Sequence, residues 1–374
     1  MWILPQELIT EILFQLPVKF LLRFLCVSKS SSALIRDPDF IKIHFEINKE
    51  RTIIVQTRTR DDDHKPLNLN HYYLLNFSDE NQPVEVFPPF YHPEDSFYYT
   101  RIIDCCNGLV CNSTNDDNTI VIWNPSIRKY KKLPPTPTGR NIPSISALPN
   151  FSFGYDPVND DYKVLKTMQF FNSREKGEGD FEVDVYSLKA HSWRRVEDEW
   201  PCKDSGIWAG PVCLNGAFHW LVKTTTGGIR LLAFHLTTEK FHQEDALLPV
   251  ELGLVKNLDV WRGSLCVSAY EPEGKGIDYW MKEDGVWSRL YTVSQTFRYN
   301  MCWWRVPYLQ RGRVVLFSTE GEKVLMEMDY RQKFLFWFDI KNMTLSLTLT
   351  HISNMFWAGT CGESLLLLDG DSIE

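Results

Sequence analysis

Glycine-marked turns recur through most of the chain, and no other feature of the sequence restricts the fold as much. Asn107-Gly108, Asn215-Gly216 and Arg262-Gly263 each precede an apolar run: Leu109 to Cys111, Ala217 to Trp220 and Ser264 to Val267. Gly312 and Gly362 stand likewise before Val314 to Phe317 and Leu365 to Leu368. A tight turn accounts for each glycine, because positive φ costs it little. With Gly154 of Phe153-Gly154-Tyr155-Asp156-Pro157 added, the anchors are separated by 46, 62, 47, 49 and 50 residues. Between anchors runs a second motif: an alternating apolar stretch, a turn, then an aromatic or apolar residue. It appears at Trp123 to Tyr130, Tyr186 to Trp193, Phe234 to Phe241, Trp280 to Trp287 and Phe338 to Leu345. Paired hairpin strands are the simplest account of it.

Two hairpins in each period of about 40 to 50 residues predict a mainly β chain with a β-propeller-like domain of about six blades. The aromatic share of 14% agrees, since flat side chains suit a pleated, half-buried surface. Too little chain follows Gly362 to finish a sheet, so strands near Ile53 to Thr57 and Tyr72 to Phe77 are expected to close the ring with the last strand. A β-sandwich or split barrel is the alternative architecture.

Residues 1–48 read differently, and the expected division is 1–48 and 49–374. Between Ile3 and Val27 sixteen of twenty-five residues are apolar, but Glu7, Glu11, Lys19 and Arg23 interrupt them and Pro5 and Pro17 break them. That pattern excludes a membrane span or a signal peptide. Leu4, Leu8, Ile9, Ile12, Leu13 and Leu16 recur at helical spacing, and Pro17 stops the helix. Val18 to Val27 forms a second short helix, Ser28 to Ile35 a third, and a last element starts at Phe40 after the Asp37-Pro38 turn. So short a segment carries more apolar surface than it can bury within itself, which implies a partner surface.

The formal net charge of -8 argues against a phosphate-binding surface, and residues 1–48 are neutral, so the excess belongs to residues 49–374. Such a field favours encounter with a basic protein. The basic cluster Arg128, Lys129, Lys131 and Lys132 reads as the exposed face of an edge strand. Nine cysteines without a C-x-x-C pair indicate a reduced compartment, cytoplasm or nucleus, with Cys105, Cys106 and Cys111 read as small buried thiols. No phosphate loop, nucleophile elbow or metal-spaced set is present, so no cofactor and no catalytic residue is expected. Asp61 to His64 reads as a solvated loop, His219 as structural, and Trp303 and Trp304 as core or recognition surface.

The stretch Leu4-Pro5-Gln6-Glu7-Leu8-Ile9-Thr10-Glu11-Ile12-Leu13, with Leu16-Pro17-Val18-Lys19, Leu22-Arg23-Phe24, Val27-Ser28-Lys29, Leu34-Ile35 and Pro38-Asp39-Phe40, resembles an F-box, a small three-helix domain. Ser31 stands where that family commonly carries Trp. Further on, Cys106 to Cys111, Ile122 to Arg128, Phe153 to Asp156, Asp161 to Val164, Val185 to Ser187, Ser192 to Arg194 and Asn215-Gly216 resemble the F-box-associated domain of plant F-box proteins. The resemblance implies binding to a Skp1-like protein through Leu4, Pro5, Leu8, Ile12, Leu13, Leu16, Pro17, Leu22, Arg23, Phe24 and Val27. Through it the chain would join a cullin and a RING subunit in an SCF ubiquitin ligase. The β domain would then hold a protein target for ubiquitination, without chemistry of its own. The family includes S-locus F-box proteins, which recognise ribonucleases, F-box/kelch-repeat proteins, and defence regulators.

Target contacts are expected on polar loops at Asp61 to Lys65, Asn115 to Asn118, Ser173 to Asp180, Lys223 to Gly228 and Glu271 to Lys275. The rival readings are a propeller enzyme or ligand-binding module with an incidental helical cap, and an F-box protein that acts outside ubiquitination.

Overall fold

The computed structural model describes residues 5–49, 52–60, 66–76, 83–90, 100–114, 119–136, 147–171, 179–201, 206–223, 228–245, 255–271, 276–294, 312–317, 322–330, 332–342, 344–347 and 355–368. Four helices come first: α1 (Gln6–Phe14), α2 (Val18–Phe24), α3 (Lys29–Ile35) and α4 (Pro38–Asn48). The strands follow as β1 (Thr52–Arg60), β2 (Pro66–Asn76), β3 (Val84–Val86), β4 (Thr100–Cys106), β5 (Leu109–Thr114), β6 (Ile120–Asn124) and β7 (Lys129–Lys132). Next are β8 (Ala147–Asp156), β9 (Asp161–Phe171), β10 (Gly179–Ser187), β11 (Ser192–Arg195), β12 (Gly206–Leu214), β13 (Ala217–Lys223), β14 (Ile229–His235) and β15 (Lys240–Asp245). The remainder are β16 (Val255–Trp261), β17 (Ser264–Tyr270), β18 (Gly276–Glu283), β19 (Val286–Ser294), β20 (Gly312–Phe317), β21 (Lys323–Tyr330), β22 (Gln332–Asp339), β23 (Thr344–Leu347) and β24 (Met355–Thr360).

The chain divides into two compact units, Met1–Pro135 with Phe356–Glu374, and Thr136–Met355. In the first, β24, β1, β2 and β3 lie side by side, and β4 to β7 form an antiparallel meander. The pairing of β24 with β1, reinforced where Cys361 N–H donates to Thr52 O at 2.9 Å, joins the last strand to the segment around Ile53 to Thr57, but that strand precedes Gly362, and Leu365 to Leu368, expected as a strand, is not one because it leaves the sheet to pack on the helices. In the second unit β8 to β11, β12 to β15 and β16 to β19 are meanders of four, and β20 to β23 follow the same order. Successive four-strand meanders are blades of a β-propeller and not the cross-paired sheets of a sandwich. Among the described residues the strands group into five sheets, close to the expected six blades.

The second motif forms hairpins throughout, and in three copies its aromatic ends face each other: Trp123 opposite Tyr130, Tyr186 opposite Trp193, Phe234 opposite Phe241. Such cross-strand pairs fix register, because a slip of one residue would turn every side chain to the other face. Asn107-Gly108, Asn215-Gly216 and Arg262-Gly263 adopt positive φ at both positions, the two-residue turn whose twist matches the strands. Gly154 and Gly362 are not turns. Gly154 lies inside β8, where a Cβ would come within 2.6 Å of the Cys213 sulfur, and Gly362 sits against Lys49, where a Cβ would be 2.7 Å from Cα. Close packing, not backbone freedom, requires glycine at both. Gly312 is the first residue of β20.

In the second unit a charge cluster is buried between hairpins. Lys163, 4% exposed, reaches Asp156 at 3.0 Å, Glu239 at 3.1 Å and the Leu236 carbonyl. Arg194 also pairs with Glu239, while Thr237 Oγ1 and Asn159 Nδ2 donate to Asp156 at 2.7 and 2.8 Å. Burial raises the Asp156 carboxyl, but the hydrogen bonds from Asn159, Thr237 and Lys163 outweigh it and hold the group well below the usual carboxylate range.

Candidate docking face on the helical segment

Each helix of the segment starts where local chemistry directs it. Pro17 precedes α2 in extended geometry, and Ser28 caps α3 by accepting from Ser31 N–H at 3.0 Å. Asp37 accepts from Asp39 and Phe40 N–H at 3.0 and 3.2 Å, with Pro38 in the first turn, so the last element is an eleven-residue helix. Ser31, where the family's Trp is expected, is half-buried, and its hydroxyl lies 2.8 Å from that of Ser28.

The inward faces of these helices make a core of Leu13, Val18, Leu21, Ile35 and Phe40, with Phe14 stacked on Phe40 at 4.8 Å. Two buried polar side chains tie the helices together. His44 Nε2 donates to Leu16 O at 2.8 Å, and Asn48 Nδ2 donates to Phe14 O at 3.1 Å and to His44 O at 2.8 Å. Leaving those carbonyls unpaired in an apolar core would cost free energy, so the bonds fix how α1 meets α4.

Residues 361–368, here called the strap, complete this core. Leu365 is 1% exposed within it and Leu367 packs against it, as does Ile127 from the β6–β7 turn. The backbone N–H of Val18, an orphan donor at the start of α2, donates to Glu363 Oε2 at 2.9 Å. The strap is held in turn by the β4–β7 meander. The buried Asn124 side chain donates to Ser364 O at 2.9 Å and Leu366 O at 3.0 Å, and Ser364 N–H donates to Ser126 Oγ at 3.2 Å. The Asn124-Pro125-Ser126 turn therefore fastens the helices to the sheet.

Several large apolar side chains remain outward. Leu8 and Ile12 stand one turn apart on α1, and Phe20 and Phe24 one turn apart on α2, all exposed, with Val27 following at 67% exposure. Arg23 lies over the Phe20 ring at 5.6 Å. Of the residues expected to contact a partner, Pro5, Leu8, Ile12, Pro17, Arg23, Phe24 and Val27 are exposed, while Leu16 and Leu22 are half-buried. Leu13 is 2% exposed and points into the core, so it supports the face from behind. Leu4 lies outside the described residues. Phe20 was missed, although its spacing from Phe24 was a readable signal. Large apolar side chains left exposed on consecutive helices mark an interaction surface.

Among the described residues no group of three or more His, Cys, Asp or Glu could hold a metal ion, and no helix is long and apolar enough to cross a membrane. His219 is half-buried in β13, where burial lowers its pKa. Arg128, Tyr130 and Lys132 are exposed on or beside the outer strand β7. Asp61 to Lys65, Asn115 to Asn118, Trp303 and Trp304 lie outside the described residues, as do most of the loops at 173–180, 223–228 and 271–275.

Comparison with known proteins bears on both parts of the chain. A model of the F-box domain matches residues 2–43, and a model of the F-box associated beta propeller domain matches residues 66–355. The chain is similar to the F-box protein CPR1 of Arabidopsis thaliana, 27% identical over 92% of this chain and 83% of that one. It is also similar to the Arabidopsis F-box protein At4g22390 (26% identical, 97% and 90% covered) and F-box/kelch-repeat protein At3g23880 (26%, 78% and 79%). Among solved structures, puromycin hydrolase aligns with a TM-score of 0.45 at 11% identity, over 81% of this chain and 46% of that one, too distant to inform function.

Proposed function

Because the chain belongs to the F-box proteins that carry an F-box-associated β-propeller domain, we propose that it is the substrate-recognition subunit of an SCF-type ubiquitin ligase. The observation that carries this reading is the set of exposed apolar side chains Leu8, Ile12, Phe20, Phe24 and Val27, backed by a completed core. A Skp1-like protein covers them and links the chain to a cullin and a RING subunit. The propeller holds the protein target, so that transfer of ubiquitin becomes nearly intramolecular. The role is positional, and the chain contributes no catalytic group.

The charge distribution supports a basic target, since the formal excess of -8 lies outside the neutral helical segment. A ribonuclease, as recognised by S-locus F-box proteins, is one target of that chemistry. The setting assigned is the cytoplasm or nucleus, in keeping with the seven free thiols of the described residues.

The test is co-expression of the full chain and its Ile12→Asp variant with a plant Skp1 subunit. Retention of Skp1 by the full chain and its loss in the variant support the reading. Equal retention by both, or by neither, overturns it. Ubiquitination of a captured target with and without the chain then separates a ligase subunit from an F-box protein working outside ubiquitination.

A further inference from the structure

The strap crosses the β4–β5 hairpin at very close range. A Cβ on Gly108 would lie 2.4 Å from the Ser364 Cβ and 2.6 Å from the Gly362 carbonyl oxygen. Two cysteines far apart in sequence meet at this crossing, Cys105 near the end of β4 and Cys361 at the start of the strap. Their side chains are neighbours at this crossing, and the Cys361 sulfur faces the Gly108 carbonyl oxygen at 4.0 Å. Both side chains lie in the apolar cluster around Ile54, Tyr72 and Trp123. The two backbones are fixed independently: Cys105 pairs opposite Val110, and Cys361 N–H is held by Thr52 O at 2.9 Å.

We propose that Cys105 and Cys361 form a dithiol modification site, which an oxidant of the peroxide class converts to a disulfide that fastens the strap to the β4–β5 hairpin. One thiolate attacks a peroxide oxygen, breaking the O–O bond and giving a sulfenic acid with loss of water. The second thiol then attacks that sulfur, its proton leaving with the hydroxyl as a second water as the S–S bond forms. Two thiols and one peroxide yield one disulfide and two waters. Burial pushes the Cys105 thiol well above its ordinary range, so thiolate is scarce and the site ignores brief or mild oxidation. Once formed, the bond holds Glu363 and Leu365 against the helices even when their other contacts open. The consequence for docking rests on the adaptor reading, whereas the bond itself does not.

The purified full chain is treated with hydrogen peroxide, remaining thiols are alkylated, and the unreduced digest is mapped by mass spectrometry. The expected result is a peptide pair joined through Cys105 and Cys361, reversed by dithiothreitol and absent from Cys105→Ser and Cys361→Ser. Because the map is made on the unsubstituted chain, it stands even if a variant folds poorly. Recovery of Cys105 and Cys361 both alkylated after the exposed Cys26 has been oxidised would overturn the proposal. So would cross-links that join Cys105 to Cys106 or Cys111 instead. Loss of Skp1 binding leaves this map unchanged, so the two readings fail separately.

Discussion

Val18 N–H donates to Glu363 Oε2 at 2.9 Å across 345 positions of sequence. One carboxylate thereby satisfies the first orphan donor of a seven-residue helix that has no side-chain cap of its own. Replacing Glu363 with Ala is expected to destabilise the helical segment by about 1–2 kcal/mol, the scale of a charge-assisted hydrogen bond. Amide exchange would rise first in α2, whereas Glu363→Gln would retain most of the protection. Unchanged exchange in α2 would show that the contact contributes nothing.

The outward and inward residues of α1 should separate binding from stability. Ile12→Asp leaves the melting temperature nearly unchanged but abolishes Skp1 capture. Leu13→Ala leaves a cavity in the helical core and lowers stability by about 2–4 kcal/mol. Pull-down and thermal melting of the same two variants check the pair.

Gly108 combines a positive φ of 77° with the tightest approach of the strap. Gly108→Ala is expected to cost about 2–3 kcal/mol from backbone strain and displacement of Ser364. Gly263→Ala, with the same turn geometry and nothing within 4 Å of its Cβ position, should cost less. Denaturant unfolding of both separates the steric from the conformational part.

Asp156 gives the second unit an acid dependence. Its carboxyl titrates lower in the folded chain than the unfolded value of about 3.9, so its contribution is present above that pH and is lost as pH falls through the folded value. Asp156→Asn would lower stability at neutral pH by about 3 kcal/mol, since Lys163 stays buried beside Glu239 alone. It would also flatten the fall in stability below about pH 4, read as melting temperature against pH.

The parts of the fold written in local pattern were legible. Trp123 to Tyr130 and its four counterparts announced hairpins, because a strand pair and its turn fit in eight residues. Pro17 and Asp37-Pro38 announced helix ends for the same reason. Gly362 was misread as a turn, since the neighbour that demands a glycine there, Lys49, is distant in sequence, as Cys213 is from Gly154. Phe20 was absent from the expected contacts, yet Leu21 takes the buried position and Phe20 faces out. Nothing in the spacing of Asn124, Glu363 or Lys163 discloses its role. Each bonds to a group more than 70 positions away, and only the folded chain brings them together.

The strap also sets an order of events during synthesis. The helices leave the ribosome well before the strap, since the carboxylate for α2 and the leucine that seals their core are translated more than three hundred residues later. A nascent or prematurely terminated chain therefore presents its docking residues on an unsealed core, and only a chain read through residue 365 offers a ligase a finished surface.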